Sequence, residues 1–178
     1  DTTNYLLVNH ADMKKLYRNI AEKSHYVKKK DYERPTSFIN TMHKTGQVAD
    51  VVLVDEAHLL LTKADKYNRF VQDNHLEEIL KCARVVVIVF DDKQVLKFKS
   101  RWTEDDLESV LAQKHVQTFY LQNQFRMQAS VQTLEWIEQF CKKTVLPVPD
   151  DPCFDLRFFE DAQTLYNLVR QKNAEFGL

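Results

Sequence analysis

Two apolar runs constrain the fold more than any other feature of the chain. Val51-Val-Leu-Val54 and Val85-Val-Val-Ile-Val-Phe90 are unbroken and rich in β-branched residues, and they are followed by paired acids, Asp55-Glu56 and Asp91-Asp92. A strand with one wet face alternates apolar with polar residues. An unbroken run instead reads as a strand buried on both faces, as in a parallel sheet covered by helices.

The remaining segments fit around these strands. Tyr5 to Val8 is predicted as a short buried strand, and its abrupt opening suggests that an earlier strand and helix are missing. Asp12 is placed to cap a helix over Met13 to Lys28, with Leu16, Ile20 and Tyr17 at helical spacing for packing. Lys28 to Lys30 suit its C-terminus. Phe38 to Met42 is predicted as a weak strand, with Gly46 in the turn that follows. Leu76 to Cys82 reads as a helix. Thr103-Glu-Asp-Asp106 has the form of a capping box, opening a helix that ends near Lys114. Val116 to Leu121 and Phe154 to Phe159 are expected as strands. Val131 to Phe140 is an amphipathic helix, the stretch holding Pro147, Pro149 and Pro152 a linker, and Asp161 the cap of a last helix to about Ala174. The alternation implies an α/β fold with a mainly parallel sheet flanked by helices.

With 44% hydrophobic and 29% charged residues, the composition excludes a disordered chain. No apolar run approaches the roughly 20 residues a membrane helix needs. No basic stretch precedes an apolar core at the N-terminus, so a cytoplasmic protein without membrane association is expected. Cys82, Cys141 and Cys153 are widely spaced, which suggests neither a disulfide framework nor a zinc site. A net charge of −1 argues against a globally basic nucleic-acid binder but leaves room for a local basic groove.

Ligands of open parallel sheets gather at the carboxyl ends of the strands. Two consecutive acids there put one carboxylate near the strand tip and turn the next aside. The first can hold hydrated Mg²⁺ and the second can polarise a water. Asp55-Glu56-Ala57-His58 has that form, although acids also end strands and cap helices without further function. The chain has only two glycines, Gly46 and Gly177, and neither lies in a glycine-rich phosphate-binding loop.

Val51 to His58 resembles the Walker B element of P-loop helicases. Phe90-Asp-Asp-Lys-Gln94 is similar to motif III of superfamily 1, and Leu121-Gln-Asn-Gln-Phe-Arg126 to its motif IV. Tyr5 to Asn9 resembles the segment after the P-loop helix. The ordered set resembles superfamily 1-like DNA/RNA helicases, among them bacterial conserved proteins with a Schlafen-like DNA/RNA helicase domain. The resemblance implies a RecA-like P-loop NTPase fold without its first strand and P-loop, and ATP and Mg²⁺ as cofactors. It implies that Asp55 orients the metal through water and that Asp55, His58 and Asp91 face the nucleotide. Glu56 would be the general base, Gln94 a sensor of the γ-phosphate, and Arg126 an arginine finger. The plainer alternatives are a packed histidine for His58, a surface residue for Gln94 and an ordinary ion pair for Arg126. Phe90 stands where motif III usually has glycine, and no Walker A lysine or later motifs V and VI are identifiable. The isolated chain is therefore expected to bind nucleotide weakly at most.

Lys97-Phe-Lys-Ser-Arg-Trp102 interleaves basic and aromatic residues. The resemblance implies single-stranded DNA or RNA as partner, with Phe98, Arg101 and Trp102 as contacts and an aromatic stacked on a base. Alternatively both rings pack against the following helix while the cations are solvated. Residues 1–125 are expected to form most of a first RecA-like domain, and residues 126–178 to begin a second. The function implied is part of an ATP-dependent helicase or translocase. A degenerate, non-hydrolysing interaction domain and a restriction- or nuclease-associated NTPase are the alternatives.

Overall fold

A computed structural model describes residues 2–24, 28–91, 102–112, 114–121 and 127–177. The chain divides into two compact units, Asp1–Gln117 and Thr118–Leu178.

In the first unit the order is β1 (Asn4–Val8), α1 (Ala11–Lys23), β2 (Tyr32–Glu33), α2 (Pro35–Thr45), β3 (Ala49–Asp55), α3 (His75–Cys82), β4 (Ala83–Ile88) and α4 (Glu104–Leu111). The four strands form one sheet in the order β2-β1-β3-β4, and every pairing is parallel. Val8 lies opposite Asp55, and Val54 opposite Ile88, so the carboxyl ends of three strands finish together. This is the α/β architecture expected from the two apolar runs.

One face of the sheet carries the core. Leu7, Val52 and Val54 are buried against Phe38, Ile39 and Met42 of α2 and Leu76 and Ile79 of α3. The other face does not match the expectation of full burial. Val51 and Leu53 are each 37% exposed, and their partners Val85 and Val87 about half exposed, at 53% and 47%. An unbroken aliphatic run records that both faces avoid charge, but over β3 and β4 the described residues leave the second face partly open, whereas Val8 of β1 is buried on it.

Helix ends follow local chemistry. Pro35 opens α2 and Gly46 closes it in the left-handed region at φ 66°, donating to the Met42 carbonyl at 2.8 Å. These signals overrule the strand expected at Phe38 to Met42. Phe38, Ile39 and Met42 are spaced for one helical face, and all three are buried. Asn74 caps α3, its Oδ1 accepting from Leu76 N–H at 2.8 Å and Glu77 N–H at 3.3 Å. Thr103 and Asp106 form the expected capping box, while α4 ends at Leu111, short of Lys114.

α1 departs from expectation in how it is held. His10 precedes it without a side-chain cap, the helix stops at Lys23, and Leu16 and Ile20 are 50% and 49% exposed. The helix docks instead through polar contacts. Lys14 and Arg18 each reach a different oxygen of Glu33 at 2.9 Å, and the Tyr17 ring stacks on Tyr32.

The described residues of the second unit form α5 (Val131–Cys141) and α6 (Ala162–Phe176). Ser130 caps α5 and Asp161 caps α6, the latter accepting from Thr164 N–H at 2.7 Å. Trp136 packs on Phe140 and Phe158, and its indole N–H donates to the Leu146 carbonyl at 2.8 Å. The segments 116–121 and 154–159, expected as strands, pair with no other strand among the described residues. An apolar run forms a strand only where a neighbour accepts its backbone hydrogen bonds.

Candidate active site at the carboxyl ends of the strands

β3 delivers Asp55 as its last residue, and the backbone then turns sharply. Glu56 sits in the left-handed region at φ 52° and ψ 49°, a conformation that costs a non-glycine residue about 1 kcal/mol or more. A short 3₁₀ turn, Ala57–Leu59, follows. Two backbone bonds continue the sheet past the end of β4: Val89 donates to the Val54 carbonyl at 2.9 Å, and Ala57 to the Val89 carbonyl at 2.8 Å. The tetrad is thereby fixed beside Phe90 and Asp91.

The Asp55 carboxylate is held from two directions. Its Oδ1 accepts from the Glu56 N–H at 3.0 Å, and its Oδ2 from the Tyr17 hydroxyl at 2.8 Å. That bond to a carboxylate raises the Tyr17 pKa above its ordinary value, with burial and the negative charges of Asp55 and Glu56 adding to the effect. Glu56 is turned aside and 40% exposed at its side chain, while His58 is only 3% exposed. The His58 Nε2 lies 3.3 Å from the Glu56 Oε2, and the buried His58 Nδ1 has no hydrogen-bond partner among the described residues. The Phe90 ring sits edge-on to His58, and Trp102 edge-on to Phe90.

The segment after the tetrad is pinned residue by residue. Asn9, just past β1, donates through Nδ2 to the Leu59 carbonyl at 2.6 Å. The Trp102 indole donates to the Leu60 carbonyl at 3.0 Å. His75 accepts the Leu61 N–H at its Nδ1, at 3.0 Å, while its backbone N–H donates to the Leu61 carbonyl at 2.9 Å. Burial holds the His75 imidazole neutral, with its pKa lowered to about 4. Beside this segment lies a cleft of about 370 Å³ whose lining includes Asn9, Arg34, Ser37, Leu59 and Arg69. Among the described residues, neither Arg34 nor Arg69 has an ion-pair partner for its guanidinium.

Asp55, Glu56, His58 and Asp91 are thus brought to one end of the sheet. Gln94, Phe98, Arg101 and Arg126 lie outside the described residues. Trp102 is placed differently from a base-stacking aromatic: it is 6% exposed, and its ring belongs to the core of the first unit. So little exposed, the ring has almost no surface to offer a base in this placement. No sequence pattern marks Tyr17, Asn9 or His75 as part of the site. Their partners lie 38, 50 and 14 positions away in sequence, and no local pattern marks those contacts.

Among the described residues no cluster of three or more His, Cys, Asp or Glu side chains is gathered as a metal cage. Hydrated Mg²⁺ does not need one, because it keeps several waters and uses one or two carboxylates together with phosphate oxygens. The Asp55 carboxylate at the strand tip, with a second carboxylate turned aside at Glu56, fits that donor requirement.

An all-parallel sheet flanked by helices, with acids at its carboxyl edge, defines a domain of the RecA-like, P-loop type. The profile of the Schlafen group 3, DNA/RNA helicase domain matches residues 1–178, and the chain belongs to that family. The chain is similar to the uncharacterized protein YPL245W of Saccharomyces cerevisiae, at 36% identity over 198 aligned positions covering 99% of this chain and 44% of the yeast protein. It therefore spans less than half the length of that relative. No solved structure matches it. No helix among the described residues is long and apolar enough to cross a membrane.

Proposed function

We propose that this chain carries the metal- and water-directing half of an ATP-hydrolysing site in a helicase or translocase driven along single-stranded DNA or RNA. The observation that carries this reading is the Asp55-Glu56 turn. One carboxylate ends a central parallel strand, and a left-handed residue throws the next one off the strand axis, beside a buried histidine.

Mg²⁺ bound with ATP would supply charge neutralisation for the phosphates. Asp55, held by Tyr17 and by the Glu56 N–H, would hold hydrated Mg²⁺ through its remaining lone pairs. Glu56 would accept the proton of the attacking water, and His58 stands beside that carboxylate. Gln94 and Arg126 complete the set on the strength of the family motifs, as a γ-phosphate sensor and an arginine finger. Asp91 follows β4 at the same end of the sheet, where a nucleotide-facing role suits it. Arg34 and Arg69, in the cleft that reaches Leu59, are available to backbone phosphates of the strand.

A second reading needs no phosphate-binding loop, and neither of the two glycines in these 178 residues lies in one. The fold would then serve as a non-hydrolysing interaction domain. ATP turnover by the full-length protein, measured with and without single-stranded DNA and RNA, separates the two. Glu56→Gln is expected to lower nucleic-acid-stimulated turnover by about 10²- to 10⁴-fold. Turnover unchanged by that substitution removes Glu56 from catalysis, and no turnover in the unaltered protein favours the interaction domain.

A further inference from the structure

We propose that Tyr17 is a positioning residue for the Asp55 carboxylate, which makes α1 part of the metal-holding apparatus. The inference rests on the nucleotide-hydrolysing reading above and deepens it.

An aspartate carboxylate can rotate about its last bond unless both oxygens are engaged. Here two donors from two different elements engage them. The Glu56 N–H comes from the turn after β3, and the Tyr17 hydroxyl from α1. Each carboxylate oxygen has two lone-pair sites, so one remains on each oxygen for water and metal. The Tyr17 bond therefore sets the plane of the carboxylate without using up its capacity. A phenol donating to a carboxylate is also a charge-assisted bond, stronger than one between neutral groups.

The phenol is itself held in place. Its ring stacks on Tyr32 with centroids 5.8 Å apart and planes 11° from parallel. Tyr32 is buried and pairs with Leu6 in the sheet. Lys14 and Arg18, three residues before Tyr17 and one after, grip the two oxygens of Glu33, which directly follows Tyr32. The helix is thus aligned by a polar clamp and a ring stack, while its aliphatic residues Leu16 and Ile20 stand half exposed. A helix that only covered the sheet would bury those aliphatics. This one presents a hydroxyl to the acid at the strand tip.

The test uses full-length protein and Mn²⁺ as the probe, titrated with a non-hydrolysable ATP analogue present and followed by electron paramagnetic resonance. Tyr17→Phe keeps the ring on Tyr32 and removes only the hydroxyl. It is expected to weaken Mn²⁺ binding about tenfold, the scale of one hydrogen bond to a charged group. Arg18→Met removes one arm of the clamp and leaves Lys14 on Glu33, the ring stack and the hydroxyl in place. It is expected to lower the melting temperature and to leave Mn²⁺ affinity within about twofold. Wild-type Mn²⁺ affinity in Tyr17→Phe overturns the proposal, as does an equal loss in both variants, which would mark a purely structural contact. If the unaltered protein binds no Mn²⁺, or Asp55→Ala binds it as tightly as the unaltered protein, the nucleotide reading fails and the Tyr17 proposal falls with it.

Discussion

Replacing Trp102 separates its two expected uses, because packing and base stacking predict different losses. Its indole is 94% buried, edge-on to Phe90, and donates to the Leu60 carbonyl directly behind the tetrad. Truncating a buried tryptophan to alanine typically costs about 3–5 kcal/mol through lost transfer energy and the cavity left behind. Trp102→Ala also leaves the Leu60 carbonyl without its donor, so the upper part of that range is expected. In urea, with a slope of about 2 kcal/mol per molar, 4 kcal/mol moves the unfolding midpoint down by about 2 M. Trp102→Phe keeps most of the volume and loses the indole N–H, at a cost of about 1 kcal/mol for the unmade hydrogen bond. The assay is urea unfolding of the 178-residue chain followed by circular dichroism, beside single-strand binding by the full-length protein. A midpoint shift worth less than about 1 kcal/mol in Trp102→Ala, together with lost single-strand affinity, would refute the packing assignment.

Two further outcomes follow from side chains that hold the site in place. His75 has its pKa lowered to about 4 from 6.5, so its neutral form stabilises the fold fully above pH 6.5, and that contribution is lost as pH falls towards 4. The gap corresponds to about 3 kcal/mol, and urea midpoints measured between pH 7.5 and pH 4 should fall accordingly; a flat profile would show that the imidazole is not buried as described. Asn74→Ala removes a cap that satisfies two backbone N–H groups and should cost about 1 kcal/mol, read as a melting temperature lower by about 4 °C.

Much of this architecture is legible locally. The apolar runs at Val51 and Val85 mark β3 and β4, and Thr103, Asp106 and Asp161 mark helix starts, because a cap bonds within its own turn. The Phe38 to Met42 segment shows where a local reading goes astray. Five mostly apolar residues fit either period, and Pro35 and Gly46 decide for a helix. Leu16 and Ile20 show the opposite limit: helical spacing is present, but it does not say whether anything covers that face.

The acids at the strand ends and the scarcity of glycine are properties of the sequence alone, because they depend on composition and neighbouring residues. Only the tertiary structure brings Tyr17 to Asp55, Asn9 to Leu59 and Trp102 to Leu60. Those contacts cross 38, 50 and 42 positions of chain, and they arise from the parallel register and the seating of α1 on β2. The physical reason is that a strand or a cap is specified by near neighbours, whereas a hydrogen bond across elements depends on how they dock. The Asp55 tetrad is therefore readable as a sequence, and the hand that holds its carboxylate is not.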